Sequence, residues 1–190
     1  MAAASNKCLQ GVPGVGFCIA RTRALSGCEG RAHSLSLDLY DQWLRAERDG
    51  QWRFTPPTHA LLALDQALTE LETEGGLEAR AARYAENGRI LVDGMRALGF
   101  TSLLDDAVQA PIIYTFRSPA DPAFVFADFY ARIRTRGFVV YPGKLTRAET
   151  FRIGCIGALH PTQMHAALAA IQATLEDMGV QDCAPEESRS

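Results

Sequence analysis

Lys7 opens a glycine-rich turn in which Gly11, Gly14 and Gly16 follow it, leading into the apolar run 17–20. Glycines allow backbone angles and close approaches there that other residues resist. An amine presented at such a turn can be buried beside a ligand, and a desolvated ammonium gives up its proton more readily. The neutral amine is then the nucleophile needed for a Schiff base with an aldehyde. An ordinary solvent-facing lysine is the commoner state of this residue, so the choice rests on other positions. One is Arg152, set between Phe151 and Ile153 in an apolar run. Turned inward, it needs an anionic partner to offset its desolvation. Its flat fork can make two parallel charge-assisted bonds to a carboxylate, which lysine cannot reproduce. An edge-strand arginine facing water is the alternative. Thr55, just before Pro56 and Pro57, suits a helix N-cap, as does Thr58. Asn6 suits a turn. Arg53 and His59 stand beside Thr55 without a comparable claim.

Other candidates are weaker. The five cysteines are odd in number and lack CxxC pairs, so neither a zinc site nor a disulfide framework is indicated. Cys8 and Cys155 read as small core residues, and no metal site is expected. Asp105 and Asp106 read as a solvated acidic turn. The glycine run 11–16 lacks the Gly-Lys-Ser/Thr ending of a phosphate-gripping loop. With 190 residues the chain can bury a substantial core. Its 47% apolar and 22% charged composition is that of a globular protein. A formal net charge of -3 argues against a general nucleic-acid binder. No signal peptide or membrane-length apolar run is visible, and the cysteine usage suits a reducing, cytoplasmic setting.

The elements that must hold these residues follow from periodicity. A short buried strand is expected at 17–21. A helix is expected over 37–47 with Tyr40, Trp43 and Leu44 on one face and Gly50 as its stop. Pro56 and Pro57 lead into a helix over 58–72 with Leu61, Leu64, Leu68 and Leu71 along it. A longer helix over 77–98 carries the stripe Leu77, Ala81, Tyr84, Leu91, Met95 and Leu98, with Gly99 as C-terminal cap. Beyond Phe100 the order is a strand over 111–116, a helix around 126–133, strands over 138–141 and 151–156, and a last helix opened by Pro161. Such an order builds a small sheet covered by helices, an α+β unit. The boundary is placed near Gly75, giving regions 1–75 and 76–180, with a disordered polar tail over 181–190.

The string Ser-Asn-Lys-Cys-Leu-Gln-Gly-Val-Pro-Gly at 5–14 resembles the cofactor-lysine segment of the 2-aminoethylphosphonate–pyruvate transaminase family, class V aminotransferases of the type I pyridoxal-phosphate fold. The likeness continues through Ser-Leu-Ser-Leu-Asp-Leu-Tyr-Asp-Gln-Trp at 34–43 and Trp-Arg-Phe-Thr-Pro-Pro-Thr-His at 52–59. It returns in Leu-Leu-Asp-Asp at 103–106, Phe-Val-Val-Tyr-Pro-Gly-Lys at 138–144 and Phe-Arg-Ile-Gly-Cys-Ile-Gly at 151–157. Several motifs in order, from Ser5 to about Met178, are far more specific than any one of them.

The resemblance implies an α/β chain: part of a large type I domain in 1–75, then a small α+β C-terminal domain. It implies that Lys7 bonds pyridoxal 5'-phosphate and shuttles a proton between the substrate carbon and the cofactor C4′ position. It implies that Asn6 and Thr55 reach cofactor phosphate, Thr55 across a homodimer, and that Arg152 binds the substrate carboxylate. The implied reaction moves the amino group of 2-aminoethylphosphonate to pyruvate, giving phosphonoacetaldehyde and L-alanine. Alanine– or serine–glyoxylate transamination, or a non-catalytic remnant, are the competing readings. In that family the phosphate-gripping loop, the ring-stacking aromatic and the aspartate at the ring nitrogen precede the lysine, so the chain resembles a C-terminal half. Little turnover is expected of it alone.

Overall fold

The computed structural model describes residues 1–143 and 148–186. Lys144, which ends one of the motifs above, and residues 187–190 of the expected tail lie outside the described residues. The chain divides into two compact units, Met1–Thr73 and Glu74–Ser190.

In the first unit, β1 (Ala2–Ala4) and β2 (Gly16–Cys18) pair antiparallel, Ala2 against Cys18 and Ala4 against Gly16. The buried strand expected at 17–21 is thus shorter, and Gly16 and Cys18 are exposed. Two strands alone cannot cover either of their own faces. After α1 (Thr22–Ser26) comes α2 (Leu39–Asp49). It starts two residues later than expected because the Asp38 carboxylate accepts from the Asp41 amide at 3.1 Å, making Asp38 the cap. It stops at Gly50, whose N–H makes the last helical bond to Ala46 O and whose φ of 67° turns the following chain out of the helix. The proline pair then delivers the chain to α3 (Thr58–Glu74).

The second unit is organised by α4 (Gly76–Ala97). Its end follows the expectation at Gly99: the Gly99 N–H reaches Arg96 O and the Phe100 N–H reaches Met95 O, with Met95 and Phe100 both buried. Its inner face does not follow the expected stripe. Leu77 is 73% exposed, whereas Arg80 and Asn87 are buried with Tyr84, Leu91 and Met95. Polar partners described below account for the exchange.

β3 (Ile113–Arg117), β4 (Tyr141–Pro142) and β5 (Thr150–Gly154) form an antiparallel sheet in the order β3-β5-β4. α5 (Phe126–Thr135) and α6 (Pro161–Met178) complete the unit. The strand expected over 138–141 contracts to β4. Residue Phe138 instead closes α5, its N–H bonding Ile133 O at 3.2 Å beyond Gly137. The core gathers Phe100, Phe116, Phe129 and Phe151 with Leu91, Met95, Ile133 and Ile171. Gly94 lets α4 approach α6, since a Cβ there would collide with Leu168. The disordered tail expected from 181 is corrected for residues 181–186. Asp121 Oδ2 accepts from the amides of Gln181 and Asp182, Ala120 N–H bonds Ala184 O, and Cys183 is buried. Burial also pushes the Cys183 thiol up to about 11. A single carboxylate at a turn anchors this stretch, which composition does not reveal.

Candidate functional site

The Lys7 turn is built on Ser5, which is fully buried. Its N–H bonds Val15 O at 3.0 Å, its carbonyl accepts from Gly11 N–H at 2.8 Å, and its hydroxyl donates to Val12 O at 2.6 Å. One residue therefore stitches the glycine loop to the lysine turn. A Cβ on Gly11 would stand 3.0 Å from Ser5 O, a tight contact that glycine avoids. The turn closes from Gln10 N–H to Lys7 O at 2.8 Å, with Gln10 at a φ of 63°. Lys7 stands exposed at its tip, and the half-buried Asn6 precedes it. The burial expected of Lys7 is not supplied by its own unit. Cys8, expected in a core, is exposed as well, whereas Cys155 is buried as expected.

Thr55 is exposed on the loop between α2 and α3 and caps neither. Arg53, a residue without a strong claim from sequence, fixes that loop. Its Nε pairs with Asp41 at 2.7 Å, its Nη1 donates to Leu35 O at 2.7 Å, and its guanidinium lies 5.1 Å from the Phe54 ring centre. Asp41, Leu44, Arg45, Arg53 and Phe54 line a cleft of about 580 Å³ there.

Arg152 lies on β5, the central strand. Phe151, Ile153 and Cys155 point into the core, so Arg152 takes the opposite face, opposite Thr115 of β3 and Tyr141 of β4. The inward-facing arginine expected from its apolar neighbours is corrected: strand alternation sends it out, half-buried. Its Nε donates to Pro142 O at 3.2 Å. Among the described residues no carboxylate pairs with it, which leaves its outer edge able to take an acid.

The structure thus brings Asn6 and Lys7 together on one turn, sets Thr55 on another loop of the same unit, and holds Arg152 in the second unit. The donor set is a primary amine, an amide and a hydroxyl in one unit and a guanidinium in the other. The groups of the first unit are of the kind that suits an aldehyde with an anionic tail, and the guanidinium of the second is of the kind that suits a carboxylate.

A further ionic cluster was not legible in the sequence. Glu74 Oε1 accepts from Arg83 Nε at 2.7 Å, and its Oε2 accepts from Arg80 Nε at 2.8 Å. The Arg83 hydrogen bond, then that of Arg80, hold the Glu74 carboxyl at about 2 against the opposing push of burial. Since the folded value lies below the ordinary 4.5, the unfolded chain takes up the proton first as pH falls. The stabilisation is complete above about pH 4.5 and is lost as pH falls towards 2. A Glu74→Gln variant is therefore expected to lose about 2 kcal/mol of this acid-linked stability dependence. Urea midpoints measured from pH 6 down to about pH 3 check this: parallel pH profiles for the two proteins would refute it.

No family model matches the chain. It is 55% identical over 185 residues to 2-aminoethylphosphonate–pyruvate transaminase 2 of Polaromonas sp., a match covering 97% of this chain and 50% of that protein. It is 57% identical over 180 residues to 2-aminoethylphosphonate–pyruvate transaminase of Paraburkholderia phymatum, covering 95% of this chain and 49% of that protein. Pyridoxamine–pyruvate aminotransferase from Mesorhizobium loti superposes with a TM-score of 0.79 at 27% identity, over 92% of this chain and 46% of that one. Ureidoglycine–glyoxylate aminotransferase from Bacillus subtilis superposes with a TM-score of 0.80 at 19% identity, over 95% of this chain and 48% of that one, and speaks for the fold alone. The chain spans about half the length of the curated relatives it matches. The fold is a partial type I pyridoxal-phosphate transferase fold.

Proposed function

We propose that this chain, similar to the C-terminal half of 2-aminoethylphosphonate–pyruvate transaminases, supplies the cofactor lysine and the acid-binding arginine for moving the amino group of 2-aminoethylphosphonate to pyruvate. The products are phosphonoacetaldehyde and L-alanine. The observation that carries this reading is the identity of more than half its residues to proteins of that name across nearly its whole length.

Pyridoxal 5'-phosphate, when bound, supplies the electron sink for breaking the C–H bond beside the amine. Lys7 Nζ holds it and carries the proton taken from the amine-bearing carbon. Asn6 offers its amide beside that amine, and Thr55 offers its hydroxyl to phosphate. The Thr55 role belongs to a homodimer in a cytoplasmic setting, both part of this proposal. Arg152 orients the keto acid by its carboxylate through the guanidinium edge that Pro142 leaves open.

The test is amino transfer by the chain co-expressed with the N-terminal half of the Polaromonas relative, comparing 2-aminoethylphosphonate, alanine and serine as donors. Preference for alanine or serine with glyoxylate would refute the substrate assignment. Within the same assay, Arg152→Lys is expected to raise KM for pyruvate about 10- to 100-fold, the worth of a forked charge-assisted pair. An unchanged KM would remove Arg152 from the site.

A further inference from the structure

β5 leaves the sheet at Gly154, and residues 155–159 run to His160, which caps α6. The carbonyls of such a connection need partners, and α4 provides them. Arg83 Nη1 donates to both Gly157 O and Leu159 O at 2.7 Å. Asn87 Nδ2 donates to Leu159 O at 2.9 Å and Cys155 O at 3.3 Å, and the Gly157 N–H donates to the Tyr84 hydroxyl at 3.4 Å. Asn87 is fully buried and the Arg83 side chain is 12% exposed. The other edge of the Arg83 fork is taken by Glu74, Nε to Oε1 at 2.7 Å and Nη2 to Oε2 at 3.1 Å. Its guanidinium also lies 5.1 Å from the Tyr84 ring centre. A lysine could reproduce only part of this, because it lacks the rigid fork.

The carbonyls so held belong to residues 155, 157 and 159, directly downstream of Arg152 on the same strand. Backbone pairing sets β5 against β3 and β4, whereas this clamp sets it against α4, the helix that begins at the Gly75–Gly76 link. Among the described residues the Arg152 side chain is steadied by one hydrogen bond, to Pro142 O in a strand of two residues. Its direction therefore depends on where β5 is held. We propose that Arg83, seated by Glu74, is a positioning residue for Arg152: it fixes the strand exit so that the guanidinium meets the substrate carboxylate at the right place and angle. The inference rests on the acid-binding role proposed for Arg152.

The experiment is nuclear magnetic resonance on the full chain labelled with ¹⁵N at arginine Nε. It reads the water exchange of the Arg152 Nε–H and the shift of that signal on titration with pyruvate, alongside a urea unfolding curve. Arg83→Lys is expected to speed that exchange about tenfold and to weaken pyruvate binding about tenfold. Glu74→Gln keeps the carbonyl bonds of Arg83 and is expected to give a smaller change in the same direction, about threefold, so the test stands if Arg83→Lys fails to fold. A variant that loses stability while the Arg152 exchange and the pyruvate affinity stay at their original values overturns the proposal. Should pyruvate leave the Arg152 signal of the unaltered chain unmoved, the acid-binding role fails. The exchange measurement then still decides whether Arg83 steadies Arg152.

Discussion

Replacing Lys7 with alanine is expected to abolish fixation of pyridoxal phosphate at this turn and to lower any transamination by about three orders of magnitude or more. Lys7 and Lys144 are the only lysines of the sequence, so the measurement has few sites to resolve. The chain is incubated with pyridoxal phosphate, reduced with borohydride and mapped by peptide mass. Label on Lys7 well above that on Lys144 is the expected outcome. The reason is local: Ser5 pins the loop behind Lys7 through its amide, carbonyl and hydroxyl, so the amine is presented on a constrained turn. Equal labelling of Lys7 and Lys144, or full transamination activity in Lys7→Ala, would remove the covalent role.

The largest stability effect is expected at Phe151. Its side chain is fully buried, and its ring centre lies 5.6 Å from those of both Phe100 and Phe129 and 6.0 Å from that of Phe116. Phe151→Ala opens a cavity at the meeting point of sheet and helices and is expected to cost about 3–5 kcal/mol. Phe151→Leu, which retains most of the volume, should cost less than half of that. Urea unfolding followed by circular dichroism reads the difference. Because Phe151 adjoins Arg152 on β5, the alanine variant should also raise KM for pyruvate. A Phe151→Ala protein within about 1 kcal/mol of the parent would show that this aromatic cluster is not the core of its unit.

The features legible in the sequence are those decided within a few residues. Gly50 and Gly99 stop helices because a positive φ turns the chain out of the helical path, after Gly99 bringing the Phe100 amide back onto Met95 O, and glycine reaches that angle without strain. Pro56 and Pro57 mark the start of α3 for an equally local reason. The motif around Lys7 and its resemblance to a transaminase family were also carried by the residues of the sequence itself.

What the tertiary structure alone decided depends on partners distant in the chain. Arg152 sits among apolar residues in sequence, yet strand alternation in a one-sided sheet turns it to the outer face. Arg80 and Asn87 sit where a helical stripe predicts apolar residues. They are buried because Glu74 lies beside Arg80 and because carbonyls about 70 positions away meet Asn87. Leu77, on the expected stripe, is left outside. The tail at 181–186 is ordered by Asp121 across some 60 residues. Burying a polar group costs far less when a partner meets it, as carbonyls meet Asn87 Nδ2, and which partner arrives is settled by the packing of the whole unit rather than by the spacing of residues along one element.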